Sequence, residues 1–390
     1  MKPVKFILPI IVIAQFFCTS LWFAGNAVLG DLVKSFNLDT TVVGHLTSAV
    51  QFGFIIGTLI FALFTVSDRY SPSKVFLFCA LLGACFNLGT TLNGNSFINI
   101  VLFRFLTGFC LAGIYPVGMK IAADYFEKGL GKSLGFLVGA LVLGTALPHL
   151  LKDLTHVYSW RVVMLSTSLL SVIGGLLMVV FVPDGPFRKP GTKLDLTATF
   201  SVFKNTNFRA AAFGYFGHMW ELYTFWAFVP FIIQTYININ QTTSFNISLI
   251  TFFVIGIGSL SCIIGGYISN NKGSQYVAFH SLLCSGLCCL LSPFIFMLNE
   301  YLFIIYLLFW GIVVIADSPQ FSTLVAQNTS YDTKGTALTI VNCIGFAVTI
   351  ISIQLVSSLQ NTINPKFIYL ILILGPILGL IALKQMPKKH

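Results

Sequence analysis

Apolar residues in this chain come in long unbroken runs rather than in alternation. Twelve runs, at about residues 6–29, 42–66, 75–93, 97–119, 131–151, 160–182, 209–235, 245–269, 275–297, 301–327, 335–358 and 366–384, are separated by short polar breaks. A helix needs roughly 20 apolar residues to cross a bilayer, whereas a barrel strand needs about 10 in alternation. The pattern predicts an all-α membrane protein with 12 transmembrane helices. The first run follows Met1-Lys2-Pro3-Val4-Lys5 directly, is too long for a secretory signal core and lacks a small-x-small cleavage site, so it reads as a retained helix.

Charge sets the expected orientation. The chain carries 22 Lys and Arg and a formal net charge of +10, with only 9% charged residues against 56% hydrophobic. A water-soluble domain carries roughly 25% charged residues, so one soluble globule is excluded. With both termini inside, seventeen of the basic residues fall in cytoplasmic segments. Lys34, Lys152, Arg161 and Lys366 fall outside, and Arg104 lies within a span. This asymmetry predicts an N-in, C-in topology and removes nucleic acid as the reason for the positive charge. The nine cysteines lie in apolar runs without zinc-ligand spacing, so they read as small apolar side chains and no metal site is expected.

The longest interior polar stretch, Pro183 to Phe208, contains PDGPFRKPGTK and reads as a cytoplasmic linker. It divides the chain into a six-helix bundle at 1–184, a linker at 185–208 and a second six-helix bundle at 209–390. At an offset of 202 residues, Asp68 falls on Asn270 and Lys132 on Lys334, and Pro116 and Pro319 agree within one residue. Two pseudo-symmetric halves of this kind suggest a transporter with its site near the bilayer midplane, between them.

Between spans two and three stands FTVSDRYSPSK, residues 64–74, with Asp68, Arg69 and Lys74. A weaker second copy, GGYISNNKGSQ from Gly265, has Asn270 in place of the acid. Span four carries Arg104 and Gly108 in an Arg-x-x-x-Gly arrangement, and span five carries Gly135, Gly139 and Gly144 before Pro148. On these features the whole chain resembles the major facilitator superfamily. Phe64 and Ser71 stand where that family's loop usually has glycine, and span five lacks its Gly-Pro pair. The resemblance implies the superfamily fold, rocker-switch alternating access and a cytoplasmic gate at Asp68, Arg69 and Lys74. It also associates Arg104 with proton transfer or substrate binding. A structural arginine bonded to backbone carbonyls is the alternative. The small residues of span five read as helix-packing positions.

The costliest residues lie deeper. GHMWELYTFW, residues 217–226, places Glu221 about twelve residues into span seven, close to the midplane at about 1.5 Å per residue. His218 and Glu221 share a helix face, continued by Tyr215. A buried charge costs a few kcal/mol on insertion scales, so a functional role is the first reading. Glu221 is the expected protonation site and His218 a relay or substrate contact. The alternative is a Glu–His hydrogen bond that only pins the helix. Asp317, in IADSPQFS, is the other buried acid and the third proton-coupling candidate, beside the helix-breaking Pro319.

Trp22, Asn26, Gln51, Tyr115, Trp220, Tyr223 and Asn342 join Arg104 as candidate substrate contacts, with Gln15 a further polar candidate. Each amide alone also reads as an interhelical hydrogen bond, and the aromatics as interface markers. The combined expectation is a bacterial inner-membrane transporter, monomeric in the manner of its family, whose partners are a small molecule and the lipid bilayer. A proton gradient would serve as energy source without a bound cofactor. Arg104 suggests a small organic or inorganic anion. Glu221 and Asp317 suggest efflux of lipophilic or cationic compounds instead. A receptor-like relic that no longer transports is the reading from another class. No nucleophile–base pair, metal spacing or nucleotide loop points to an enzyme.

Overall fold

The computed structural model describes residues 6–38, 42–126, 130–188, 202–242, 245–330, 333–360 and 362–386. The middle of the expected linker, 189–201, and the basic positions Lys2, Lys5, Lys128, Lys388 and Lys389 lie outside them. The chain is all-helical and divides into two compact units, Met1–Lys193 and Leu194–His390.

The first unit contains α1 (Ile7–Thr19), α2 (Ala24–Ala27), α3 (Leu29–Phe36), α4 (Val42–Leu63), α5 (Val66–Arg69), α6 (Pro72–Gly89), α7 (Phe97–Leu111), α8 (Tyr115–Tyr125), α9 (Leu130–Leu154) and α10 (Arg161–Phe181). The second contains α11 (Thr206–Asn240), α12 (Ile247–Gly256), α13 (Gly258–Lys272), α14 (Ser274–Leu291), α15 (Glu300–Val313), α16 (Ser318–Gln327), α17 (Lys334–Leu359) and α18 (Leu374–Leu383). Short 3₁₀ turns at Ser292–Met297 and Ile368–Ile373 complete it. Among the described residues, 10 helical stretches are long and apolar enough to cross a membrane, and Ile7–Thr19 and Ile368–Leu383 are shorter apolar segments.

Among the described residues several expected spans are interrupted, the eighth at Ile257 between α12 and α13. The first apolar run breaks after Thr19, and Ser20 Oγ turns back to donate to Phe17 O at 2.6 Å. The hydropathy pattern gives no sign of this break. The fourth run breaks between α7 and α8, just before Pro116, and the tenth between α15 and α16, just before Pro319. Proline lacks the N–H that would bond one turn back, and its ring disfavours helical backbone at the residue before it. The two prolines therefore place equivalent breaks in the two units.

Packing inside each unit relies on backbone-to-backbone approach. A Cβ on Gly53 of α4 would sit 1.9 Å from Phe105 O, and one on Gly108 of α7 would sit 2.0 Å from Val50 O. Gly108, the end of the Arg-x-x-x-Gly pattern, is thus needed for the α4–α7 crossing. The α11–α18 crossing works the same way, with Gly217 against Gly375 O at 2.3 Å from a built Cβ. The packing expected along α9 is uneven. Gly144 faces Thr19 Oγ1 at 2.1 Å, but nothing lies within 4 Å of a Cβ built on Gly135.

Gly108→Ala should therefore lower thermal stability, since overpacking of this kind costs about 1–3 kcal/mol. Gly135→Ala should be neutral or stabilising by roughly 0.5–1 kcal/mol through helix propensity. Melting curves of the two purified variants side by side check this, and equal destabilisation would refute the close-crossing role.

Candidate functional site

In the first unit, polar chemistry gathers around Arg104 of α7, which is fully buried. Its Nη2 donates to Leu21 O at 3.0 Å and Trp22 O at 2.6 Å, and its Nη1 to Asn87 Oδ1 at 3.0 Å. The break after α1 frees those two carbonyls from helical bonding and turns them toward the guanidinium. Asn87 of α6 passes the tie on to α10, with Nδ2 within 3.1 Å of Met164 O and Thr167 Oγ1 and 2.9 Å of Ser168 Oγ. Among the described residues Arg104 Nε has no hydrogen-bond partner, and it packs against Gly25, where an added Cβ would lie 3.1 Å away. The guanidinium thus takes the carbonyl-bonded arrangement, one of the two alternatives open from the sequence. It braces four helical segments, and most of its donors are spent on protein rather than left for a substrate.

Among the other candidates of this unit, Trp22 is bonded to Arg104 through its carbonyl. Trp22 stacks at a tilt on Phe54 with centroids 4.9 Å apart. Asn26 Nδ2 donates to Thr47 Oγ1 at 2.8 Å, an interhelical bond of the expected kind. Gln51 and Gln15 are fully buried, and neither amide has a hydrogen-bond partner among the described residues. Tyr115 is half-buried at the α7–α8 break.

At the signature loop, Asp68 pairs with Lys120 of α8 at 2.7 Å, and Lys120 reaches Asp124 at 3.8 Å. Arg188, at the start of the linker, donates to Asp68 O at 2.9 Å and Tyr70 O at 2.8 Å and pairs with Asp184 at 2.5 Å. Ser71, where the family usually has glycine, donates to Asp184 Oδ1 at 2.7 Å. Arg69 and Lys74 are exposed. In the second copy Lys272 lies 4.8 Å over the Tyr276 ring, and Gly273 turns the chain at φ 82°, which favours glycine.

The second unit holds the buried acids Glu221 and Asp317. His218 and Glu221 do share a face of α11, but they do not bond each other. His218 Nδ1 lies 2.8 Å from Asp317 Oδ1, both side chains 1% exposed. Asp317 occupies the turn immediately before α16, where the helix N-terminus favours negative charge. Glu221 instead accepts from Trp310 Nε1 at 2.6 Å through Oε1 and from Ser285 Oγ at 2.9 Å through Oε2. Two residues one turn apart therefore tie α11 to α14, α15 and α16. Phe225 stacks on Trp310 at 4.3 Å and fixes its ring. Tyr215 and Phe321 flank His218, each with its centroid 6.0 Å away.

Trp220 is half-buried and donates to Ile371 O at 3.1 Å. Tyr223 is buried between Trp226 and Phe346, at 5.3 Å from each. Asn342 is half-buried on α17. Sequence reasoning missed Asn87, Ser285, Trp310, Lys120, Asp124 and Arg188. Asn87 alone carried a readable signal, as an amide in an apolar run. Ser285 and Trp310 are ordinary residues of apolar helices until the fold brings them to Glu221. Asp124 is also buried, so Asp317 and Glu221 are not the only buried acids.

These features define an α-helical membrane protein of two units, each built around buried charge. The chain belongs to the Major Facilitator Superfamily, whose family model matches residues 11–353. It is 23% identical over 261 residues to the putative transporter AraJ of Escherichia coli, covering 64% of this chain and 60% of that protein. It is 28% identical over 164 residues to a benzoate transport protein of Acinetobacter baylyi, covering 39% of this chain and 32% of that one. The chain thus spans less than two thirds of these two relatives. A probable sugar efflux transporter of Helicobacter pylori is 23% identical over 321 residues, covering 77% of this chain and 74% of its own. In fold, the chain is similar to a point mutant of the nucleoside transporter NupG, with a TM-score of 0.74 over 98% of this chain and 100% of the other at 15% identity.

The bracing role of Arg104 has a direct consequence. Arg104→Ala leaves two carbonyls and an amide oxygen without their donor, at about 1–3 kcal/mol for each unsatisfied group. The variant should melt well below wild type in the absence of any added solute. An Arg104→Ala protein with wild-type melting behaviour would show that the guanidinium is not a structural brace.

Proposed function

We propose that this chain is a secondary transporter that moves a small organic molecule across a bacterial inner membrane by proton-coupled alternating access. Twelve spans with both termini inside, working as a monomer, complete the reading. The ten long helices, the two shorter apolar segments and the asymmetry of Lys and Arg support that topology. The transporter names of relatives support transport rather than catalysis.

The observation that carries proton coupling is the environment of Glu221. Its carboxylate meets neutral donors and no cation among the described residues within bonding distance. Ser285 Oγ lies 2.9 Å from Glu221 Oε2 and 3.2 Å from Leu282 O, and its single proton can serve either. When Glu221 is ionised, the serine donates to the carboxylate. When Glu221 is protonated, its O–H donates to the serine oxygen and the serine proton turns to Leu282 O. Trp310 donates in both states. The carboxyl can therefore gain and lose a proton while every partner stays satisfied, which suits a proton carrier.

The anion reading drew on Arg104, whose donors are largely committed to protein. Names among the relatives do not choose for it, since they span benzoate, a sugar, galactonate and a nucleoside. The efflux reading keeps its residues, Glu221 and Asp317.

Proteoliposomes carrying an internal pH-sensitive dye test the proton step, with arabinose, uridine, benzoate and tetraphenylphosphonium as probes. A transported probe should change internal pH in wild type and not in Glu221→Gln, while Glu221→Gln still exchanges labelled for unlabelled probe. Probe flux indifferent to the pH gradient would sink proton coupling.

A further inference from the structure

The two buried acids of the second unit differ in one respect. Both oxygens of Glu221 are filled by protein donors. Across the His218–Asp317 pair, His218 Nε2 and Asp317 Oδ2 have no hydrogen-bond partner among the described residues, although both side chains are 1% exposed. Buried polar atoms are nearly always bonded, and leaving one unmet costs about 1–3 kcal/mol. We infer that His218 Nε2 and Asp317 Oδ2 hold the substrate, and that the substrate is an uncharged, hydroxyl-bearing small molecule. This deepens the transporter reading above and rests on it, with Glu221 reserved for the proton.

Chemistry selects the hydroxyl. Asp317 Oδ2 only accepts when ionised. His218 Nε2 accepts if the ring is neutral with its proton on Nδ1 toward Asp317, and donates if the ring is charged. A hydroxyl both donates and accepts, so it satisfies the pair in either state of the histidine. A carboxylate or phosphate offers only acceptors and sets negative charge beside Asp317. A quaternary or aryl cation has no donor for Oδ2. Tyr215 and Phe321, flanking the imidazole at 6.0 Å, present ring surface to the C–H faces of such a molecule. The other charged or titratable groups of the neighbourhood are Glu221 on α11, Cys288 and Cys289 on α14, Tyr306 on α15 and Cys262 on α13. None of these brings a cation that would recruit an anion.

The test is the melting temperature of the purified full chain with arabinose, mannitol and uridine set against benzoate and tetraphenylphosphonium. A solute that binds only the folded protein raises the melting temperature with its concentration. At least one hydroxylated probe should stabilise wild type, with apparent affinity weakened roughly tenfold or more in His218→Ala and Asp317→Ala. Asp317→Asn and His218→Gln, which stay close to the native volume and keep a polar group, guard against misfolding and should retain part of the shift. Glu221→Gln should still be stabilised. Stabilisation by benzoate or tetraphenylphosphonium alone overturns the inference, as does a hydroxylated-probe shift that survives His218→Ala and Asp317→Ala intact. Binding that persists without any pH response in vesicles instead refutes the proton reading and leaves this one standing.

Discussion

Within a bilayer no water is at hand to satisfy a stray polar group, and that constraint orders the interior of both units. Its clearest expression is the bond between Arg104 and the carbonyls of Leu21 and Trp22. A helix broken in an apolar setting exposes carbonyls that need donors. An arginine in the same setting needs acceptors. Each would be costly alone, and together they lock α7 to the first interrupted helix. Asn87 extends the lock to α10, so one cation organises the buried amide and hydroxyls between α6, α7 and α10.

The second unit meets the same constraint with the opposite charge. Glu221 is accommodated by neutral donors from α14 and α15, and Asp317 by an imidazole and a helix N-terminus. Pro319 is essential to the latter, because the break it imposes puts Asp317 at the head of α16 rather than on the side of a continuous helix. Pro116 makes the corresponding break in the first unit, between α7 and α8. The functional contrast lies in completeness. The Arg104 cluster consumes most of its donors internally, the Glu221 cluster has two equivalent internal arrangements, and the His218–Asp317 pair retains polar atoms for something else.

The signature loop follows a related logic at the edge of the apolar region. Ser71 departs from the family's glycine, yet its hydroxyl bonds Asp184, and Arg188 clamps the loop's carbonyls. The start of the linker is thereby built into the first unit, with Asp68 held by Lys120.

Hydropathy alone made the class of protein legible, because a bilayer demands long apolar helices and their lengths survive in any tertiary arrangement. It also exposed Glu221, His218, Asp317 and Arg104, since ionisable residues in apolar runs stand out without a fold. Pro116 and Pro319 likewise announced their breaks locally. The pairing of these residues was not readable. His218 and Glu221 share a helix face, and local geometry invited a bond between them, yet each turns to a different neighbour because the stronger partners arrive from α14, α15 and α16. The break after Thr19 has no proline to mark it, and Arg104, which bonds the carbonyls it frees, lies more than eighty residues away in sequence. Sequence determined which residues could not be left to lipid. Tertiary structure decided what each one bonds, because those partners lie tens of residues away and are brought within hydrogen-bond range only by helix packing.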